Sequence, residues 1–157
     1  MALDPVLQEL VDKAAIRDLM ARYARGVDAR DPDLLASTFT SDAYTDYGEW
    51  DGKGRNNIVN WIMRPSDTNF RSTHFMGDQA IQINGDSAEV ETYAVAFGIH
   101  YVDGTPSVVM TGLRYVDTMV RQDGQWLVRH RVLHHDWRGN APADVQLPSP
   151  DRVPASE

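Results

Sequence analysis

Residues 107–138 read SVVMTGLRYVDTMVRQDGQWLVRHRVLHHDWR, two long runs of mixed apolar and polar residues on either side of Asp123-Gly124. An Asp-Gly pair between such runs is a strong signal for a β-hairpin. Asn84-Gly85 and Asp103-Gly104 divide the preceding residues in the same way. Consecutive hairpins form an antiparallel meander. The sequence therefore predicts four long strands, at residues 71–83, 87–101, 107–121 and 125–138.

Three helices are predicted ahead of this meander. Asp4-Pro5 offers an N-cap and a proline at the first helical position, and apolar residues then recur at helical spacing as far as Tyr23. Gly26 marks the expected end of this helix, between residues 25 and 28. The remaining predicted elements are a helix at residues 31–39, a strand at 43–50 and a helix at 54–63.

Helices followed by a long meander are typical of an α+β fold. A straight strand of about 14 residues would be roughly 45 Å long, too long for a domain of 157 residues. The sheet must therefore coil around the helices, which predicts an α+β cone or barrel with an internal pocket. We assign residues 1–138 to this domain and residues 139–157, rich in Pro, Asp and Ser, to a C-terminal tail.

Composition excludes several classes of function. Hydrophobic residues form 42% of the chain, enough for a buried core, and the net charge is −8. An acidic chain without a basic stripe argues against binding to nucleic acid. The lack of cysteine excludes disulfides, thiolate metal sites and cysteine nucleophiles. Since neither a signal-peptide pattern nor a membrane-length apolar run is visible, we expect a soluble, cytoplasmic protein without membrane contacts.

Asp28 is the first candidate catalytic residue. It follows the predicted C-terminus of the first helix, where the helix dipole disfavours negative charge. A desolvated carboxylate there has a raised pKa and serves as a base or as the partner of a base. The alternative is an Asp that caps the second helix, although Asp31 already fills that role. Tyr23 reaches the same place only if the helix ends or bends at Gly26; otherwise it is a core aromatic residue.

His74 alternates with Met76 on one face of its predicted strand. It is either a general base oriented by a carboxylate or a histidine bonded to the backbone. His130 and His134 lie about 13 Å apart on a strand, so their spacing does not predict a metal site. Tyr44, which shares a strand face with Asp46, is either a phenol that polarises a carbonyl or a structural tyrosine.

Arg131 is the third candidate, in a last strand crowded with charge. It shares a predicted face with Leu133, His135 and Trp137. A buried arginine requires an anion. The sequence leaves open whether this anion is an internal carboxylate, a substrate oxygen or leaving group, or a carboxylate on the outer face.

Five short motifs follow one another in an order that is similar to that of a known protein family. ARYARGVD (21–28), DPDLLASTFTSDA (31–43), STH (72–74), GDSAEVETY (85–93) and GQWLV (124–128) follow one another in the chain. This arrangement resembles the SnoaL-like branch of the nuclear-transport-factor-2-like (NTF2-like) superfamily, over about residues 7–137. The superfamily includes dehydratases, isomerases, cyclases and non-catalytic subunits, so the resemblance implies the fold more strongly than the activity.

The resemblance also implies a catalytic set. Bile acid and scytalone dehydratases and a dehydrochlorinase of this branch pair a strand histidine with an aspartate that follows the first helix, and His74 and Asp28 match these positions. Tyr23 and Arg131 match further catalytic residues of the bile acid dehydratase, whereas the dehydrochlorinase has a lysine at the Tyr23 position. The resemblance implies that Tyr23 or Tyr44 polarises a carbonyl or assists the leaving oxygen, and that Arg131 stabilises the departing anion or anchors the substrate. The other residues that we expect in substrate binding are Tyr44, Asp46, Trp61, His100 and Trp137.

The predicted function is that of a cofactor-independent lyase, of dehydratase or dehydrohalogenase type, acting on a small hydrophobic ring compound. An isomerase or polyketide cyclase with the same base is one alternative. A non-catalytic ligand-binding module, similar to a dioxygenase β-subunit, is the other. The alternating Val, Met and Tyr residues of strands 87–101 and 107–121 predict an apolar outer face and hence a homo-oligomer, a dimer or trimer.

Overall fold

The predicted meander is present in the computed structural model, which describes residues 4–65, 69–102 and 105–142. The helices are α1 (Pro5–Asp28), α2 (Pro32–Ala36) and α3 (Arg55–Ile62). The strands are β1 (Phe39–Asp46), β2 (Asp51–Lys53), β3 (Asn69–Asn84), β4 (Ser87–Val102), β5 (Thr105–Gln122) and β6 (Gln125–Pro142). The predicted turn at Asp103-Gly104 and residues 143–157 of the predicted tail lie outside the described residues.

The strands form one sheet in the order β2-β1-β6-β5-β4-β3. Neighbouring strands are antiparallel except for β1 and β6, which run parallel. Helix α1 contacts β3 at one edge and also β6, three strands away, so the sheet curves around the helix. The α+β fold is therefore confirmed, but the sheet is open, with β2 and β3 at its edges, and is not a closed barrel.

Helix α1 begins as the sequence predicts and ends differently. The Asp4 side chain accepts a hydrogen bond from the Val6 N–H at 2.9 Å, and Pro5 is the first helical residue. Gly26 lies inside the helix, which continues to Asp28. A Cβ at position 26 would lie 2.9 Å from the backbone nitrogen of Leu35. The glycine thus permits the close approach of α2 and does not end the helix.

The first strand is also displaced from its predicted position. Helix α2 ends at Ala36, and β1 begins at Phe39, within the segment predicted as helix. Phe39 is fully buried and pairs with Val128 of β6. This parallel pairing joins distant parts of the chain, so local sequence patterns carry no signal for it.

A β-bulge near the end of β6 changes which side chains face the interior. Leu113 pairs with His135 and Gly112 with Trp137, so Asp136 is an extra residue. A bulge reverses the alternation beyond it. The prediction that Trp137 shares a face with Arg131 is therefore wrong. Trp137 covers Gly112 on the outer face, where a Cβ at position 112 would lie 2.1 Å from the indole nitrogen.

A buried polar cluster ties α1 to the β5–β6 hairpin. Asp12, 3% exposed, accepts hydrogen bonds from two Arg121 nitrogens at 2.6 and 2.8 Å and from the Trp126 indole at 3.1 Å. Arg121 also donates to Asp86 at 2.9 Å. The apolar core lies beside this cluster, between α1 and the inner face of the sheet. Its fully buried members include Ile16, Leu19, Met20, Phe39, Met119 and Val128.

Candidate active site

A cavity of about 280 Å³ opens on the inner face of the sheet, beside α1 and α3. Its lining residues are Tyr23, Val27, Arg30, Tyr47, Glu49, Trp61, Ile62, Arg64, Ser72, His74, Ala96, Phe97, Gly98, His100, Val109, Thr111, Leu113, Tyr115, Leu133, His135 and Arg138. The lining includes three histidines and three arginines beside its apolar residues. A concave site with convergent polar groups is a usual form of a small-molecule site.

His74 and Asp28 are in direct contact at the wall of this cavity. The His74 Nδ1 lies 2.6 Å from Asp28 Oδ1, and the His74 backbone N–H donates to Oδ2 at 2.8 Å. The Ser72 hydroxyl donates to Oδ1 at 2.9 Å. The side chain of His74 is 12% exposed and that of Asp28 is 24% exposed. The carboxylate therefore holds both the ring of His74 and the backbone of the strand that carries it.

The electrostatics of Asp28 differ from the expectation. Burial by itself raises the pKa of the carboxyl, but the hydrogen bonds from the ring and backbone of His74 and from Ser72 outweigh it and hold the pKa below its usual value. The prediction of a raised pKa is thus wrong. An ionised carboxylate only accepts hydrogen bonds, so Nδ1 of His74 carries the proton in this contact and Nε2 is left free to accept one.

Two phenols meet in the cavity. The hydroxyls of Tyr23 and Tyr47 are 3.3 Å apart, and the two residues are 3% and 4% exposed. Burial raises the pKa of Tyr47 well above its usual value, so this phenol keeps its proton at neutral pH. The helix does not need to end at Gly26 for Tyr23 to line the cavity, since α1 is continuous past it.

Arg131 lies behind the tyrosines, and it is not among the residues that line the cavity. It is fully buried and forms two hydrogen bonds with Asp117, at 2.7 and 2.8 Å. Its guanidinium lies 4.2 Å from the ring centre of Tyr23 and 4.3 Å from that of Tyr115. The sequence left open which anion pairs with Arg131, and in the structure it is an internal carboxylate, that of Asp117. Because Arg131 does not line the cavity, the structure does not support a direct contact between it and a leaving group.

Three aromatic rings stack at the cavity mouth. Trp61 lies 5.1 Å from Tyr47 and 4.9 Å from Trp50, with interplanar angles of 13° and 12°. Arg64 covers Trp61 at 3.9 Å and pairs with Glu49 at 3.3 Å. Tyr47 and Trp61 are the two members of this stack that line the cavity.

Residues 8–132 match a family described as a SnoaL-like domain. The chain belongs to the SnoaL-like family. Among curated proteins, it is 29% identical over 128 residues to the uncharacterized protein Rv2910c of Mycobacterium tuberculosis strain ATCC 25618 / H37Rv. This match covers 79% of the chain and 85% of the relative.

Solved structures of other proteins share the fold. The hexachlorocyclohexane dehydrochlorinase LinA-type3 from Novosphingobium barchaimii LL02 has a TM-score of 0.80 at 20% identity, with 91% of this chain and 99% of that chain covered. ActVI-ORFA from Streptomyces coelicolor has a TM-score of 0.66 at 22% identity, with 79% and 96% covered. The predicted membership of the SnoaL-like branch is confirmed, and this superfamily includes dehydratases, dehydrochlorinases and cyclases.

Only some of the predicted site residues line the cavity of this SnoaL-like protein. Tyr23, His74, Trp61 and His100 line it, and Asp28 contacts it through His74. Among the described residues, there is no group of three or more His, Asp or Glu side chains that could hold a metal ion. The described helices include none long and apolar enough to cross a membrane.

Tyr44 and Asp46 do not line the cavity, contrary to the prediction. The Tyr44 hydroxyl donates to Asp51 at 3.1 Å and the ring stacks on His130, while Asp46 accepts from the Gly48 N–H. Strand alternation places their neighbours inside instead. Tyr47 lines the cavity although it was not among the predicted site residues, and strand alternation from Tyr44 does place it on the opposite face.

Proposed function

We propose that this SnoaL-like protein is a cofactor-independent lyase that takes a proton from a carbon atom of a small hydrophobic ring compound and expels water or halide. The observation that carries the proposal is the 2.6 Å contact between His74 and Asp28 at the wall of the cavity. A histidine with one nitrogen fixed by a carboxylate and the other free is suited to act as a general base.

His74 performs the first step in this mechanism. Its Nε2 takes the proton, and the electron pair of the broken C–H bond forms the new double bond. The imidazolium that results lies against the ionised Asp28, whose charge stabilises it. The carboxylate stays charged throughout, because its pKa lies below the usual value.

Tyr23 and Tyr47 assist the leaving group. Both hydroxyls lie in the cavity 3.3 Å apart, so one substrate oxygen can accept a hydrogen bond from each. The leaving group departs with the electron pair of its bond to carbon, and a departing hydroxide takes up the proton from His74 to form water. The positive charge of Arg131, 4.2 Å behind the Tyr23 ring, favours the negative charge that develops there.

Replacement of the base tests the proposal. We expect His74→Gln to lower kcat by a factor of about 10² to 10⁴, measured by mass spectrometry on a panel of cyclic β-hydroxy ketones and chlorinated rings. His130→Gln is the matched control, since His130 is exposed and stacks on Tyr44 away from the cavity. Undiminished turnover by His74→Gln would contradict the proposal.

An isomerase or cyclase that uses the same base is the second candidate, and the paired hydroxyls favour it. Two phenol donors at one point can also polarise a carbonyl and stabilise an enolate. The products formed in D₂O separate the two activities, because an isomerase returns a deuteron to carbon and a lyase loses a group. Neither step requires a cofactor.

A non-catalytic subunit has no need of a histidine held by an ionised aspartate at the wall of a cavity, so this geometry favours an enzyme. Co-purification of the protein with a large Rieske-type partner, together with full function of His74→Gln in that complex, would support the non-catalytic alternative.

A further inference from the structure

His74 and Arg138 lie at the two ends of a cross-strand row on the cavity wall. Directly paired residues on β3 to β6 run in the order His74, Ala96, Thr111 and Arg138, and all four line the cavity. Such a row spans about 14 Å in a flat sheet, at roughly 4.8 Å per strand. Arg138 therefore lines the cavity three strands away from His74.

The bulge at Asp136 is what turns Arg138 inward. Without the extra residue, simple alternation from Arg131 would point residue 138 outward and residue 137 inward. The bulge is held by two contacts on the outer face. Arg114 donates to both Asp136 oxygens at 3.0 and 3.1 Å, and Trp137 packs over Gly112.

Arg138 differs from the other arginines of the cavity. Arg30 donates to the backbone carbonyls of Ile62 and Met63 at the end of α3, and Arg64 pairs with Glu49. Arg138 is exposed to solvent where it lines the cavity, and within the described residues it has neither an ion pair nor a hydrogen bond.

The balance of charge at this end is positive. Among the described residues that line the cavity, Glu49 is the one carboxylate, and Arg64 already pairs with it. His100 lines the same cavity, where burial and, to a lesser extent, the charge of Arg138 lower its pKa. A neutral imidazole beside a guanidinium still offers an N–H donor. In a chain of net charge −8, this cationic end selects for an anion.

We propose that Arg138 binds a carboxylate of the substrate, so that the substrate is a small ring compound that carries one carboxylate away from the carbon deprotonated by His74. The planar guanidinium matches a carboxylate with two parallel hydrogen bonds. The location of the reacting carbon rests on the proposed function, whereas the carboxylate site rests on Arg138 alone.

Binding of two matched probes tests this site without turnover. We titrate 2-naphthoate and the neutral 2-naphthamide and follow tryptophan fluorescence, since Trp61 lies in the cavity wall. We expect the wild-type protein to bind the carboxylate about tenfold more tightly, as a charge-assisted pair contributes on this scale. Arg138→Gln should bind both probes within about twofold of each other.

Two control variants make the result specific. Arg129→Gln removes an exposed β6 arginine that pairs with Asp42 at 3.5 Å, and it should keep the preference. His74→Gln should also keep it, so a failure of the lyase proposal leaves this result intact. Equal affinities in the wild type, no binding of either probe, or an unchanged preference in Arg138→Gln would each overturn the carboxylate site.

Discussion

Asp28 and His74 show how far a single residue can be interpreted from the sequence. Their pairing was predicted from the matching positions of the motifs, and the side chains do meet. The direction of the Asp28 pKa was not predictable, because it depends on donors that only the fold assembles. The Ser72 hydroxyl and the His74 backbone N–H are 44 and 46 residues away in the chain.

For Tyr44 and Tyr47, the local sequence did not show which of the two lines the cavity. Both phenols lie on the chain segment that follows α2, and alternation separated their faces, but nothing local identified the inner face. That choice depends on the pairing of β1 with β6, which places Tyr44 beside His130 on the outside. Tyr47 is the residue whose hydroxyl reaches Tyr23.

We therefore expect the hydroxyl of Tyr47, and not that of Tyr44, to affect the rate of turnover. Tyr47→Phe removes one donor at the leaving group and should lower kcat by about 10²-fold, the usual effect of losing such a donor. Tyr44→Phe is the control. Steady-state kinetics on the same substrate compare the two, and equal losses would contradict the assignment of Tyr47 to the cavity chemistry.

A fully buried ion pair between Arg131 and Asp117 joins β6 to β5. Arg131→Met leaves Asp117 charged and without its partner in a fully buried place, which should cost about 3–5 kcal/mol of the free energy of unfolding. The double variant Arg131→Met/Asp117→Leu removes both charges and should regain most of this loss. Urea unfolding measures both. If the double variant were less stable than Arg131→Met, the unpaired Asp117 carboxylate would not be the cause of the loss.

The cluster around Asp12 should make stability depend on pH. Hydrogen bonds from Arg121 hold the pKa of Asp12 below its ordinary value of 3.8, against the effect of burial. Because the pKa is lower in the folded than in the unfolded state, this stabilisation is present above pH 3.8 and is lost as the pH falls through the folded-state value.

Asp12→Asn is accordingly expected to lower the free energy of unfolding at pH 7 by about 1–3 kcal/mol, the cost of leaving buried donors without a charged acceptor. Thermal unfolding from pH 7 to pH 2.5 checks this. The curves of variant and wild type should converge at the acid end. A difference that stays constant over the whole range would show that the charge of Asp12 is not responsible.

At the scale of elements, hairpin turns were predictable and irregularities were not. Asn84-Gly85 and Asp123-Gly124 lie between paired strands, and both glycines have positive φ. By contrast, no local residue pattern distinguishes the bulge at Asp136, whose causes are Arg114 and Gly112 on the neighbouring strand. The position of Arg138 on the cavity wall follows from that bulge, since alternation from Arg131 without it would place residue 138 on the outer face.

For the whole molecule, the predicted homo-oligomer stays a prediction, and the structure offers a surface for it. Phe75, Val95 and Trp137 lie in one cross-strand row on the outer face, with Phe75 69% and Trp137 51% exposed. We expect Phe75→Glu to shift the protein toward monomer in sedimentation velocity. Gln82→Glu, an exposed change on the same strand, is the control, and a monomeric wild-type protein would rule the oligomer out.

The contact between Asp28 and the His74 backbone also covers part of an open sheet edge. Strand β3 is an edge of the sheet, and an uncovered edge amide is a place where a strand of another copy can add. The Asp28 carboxylate occupies that amide at 2.8 Å while it orients the imidazole. The same two carboxylate oxygens thus hold the His74 ring in the cavity wall and occupy a backbone donor of the sheet edge.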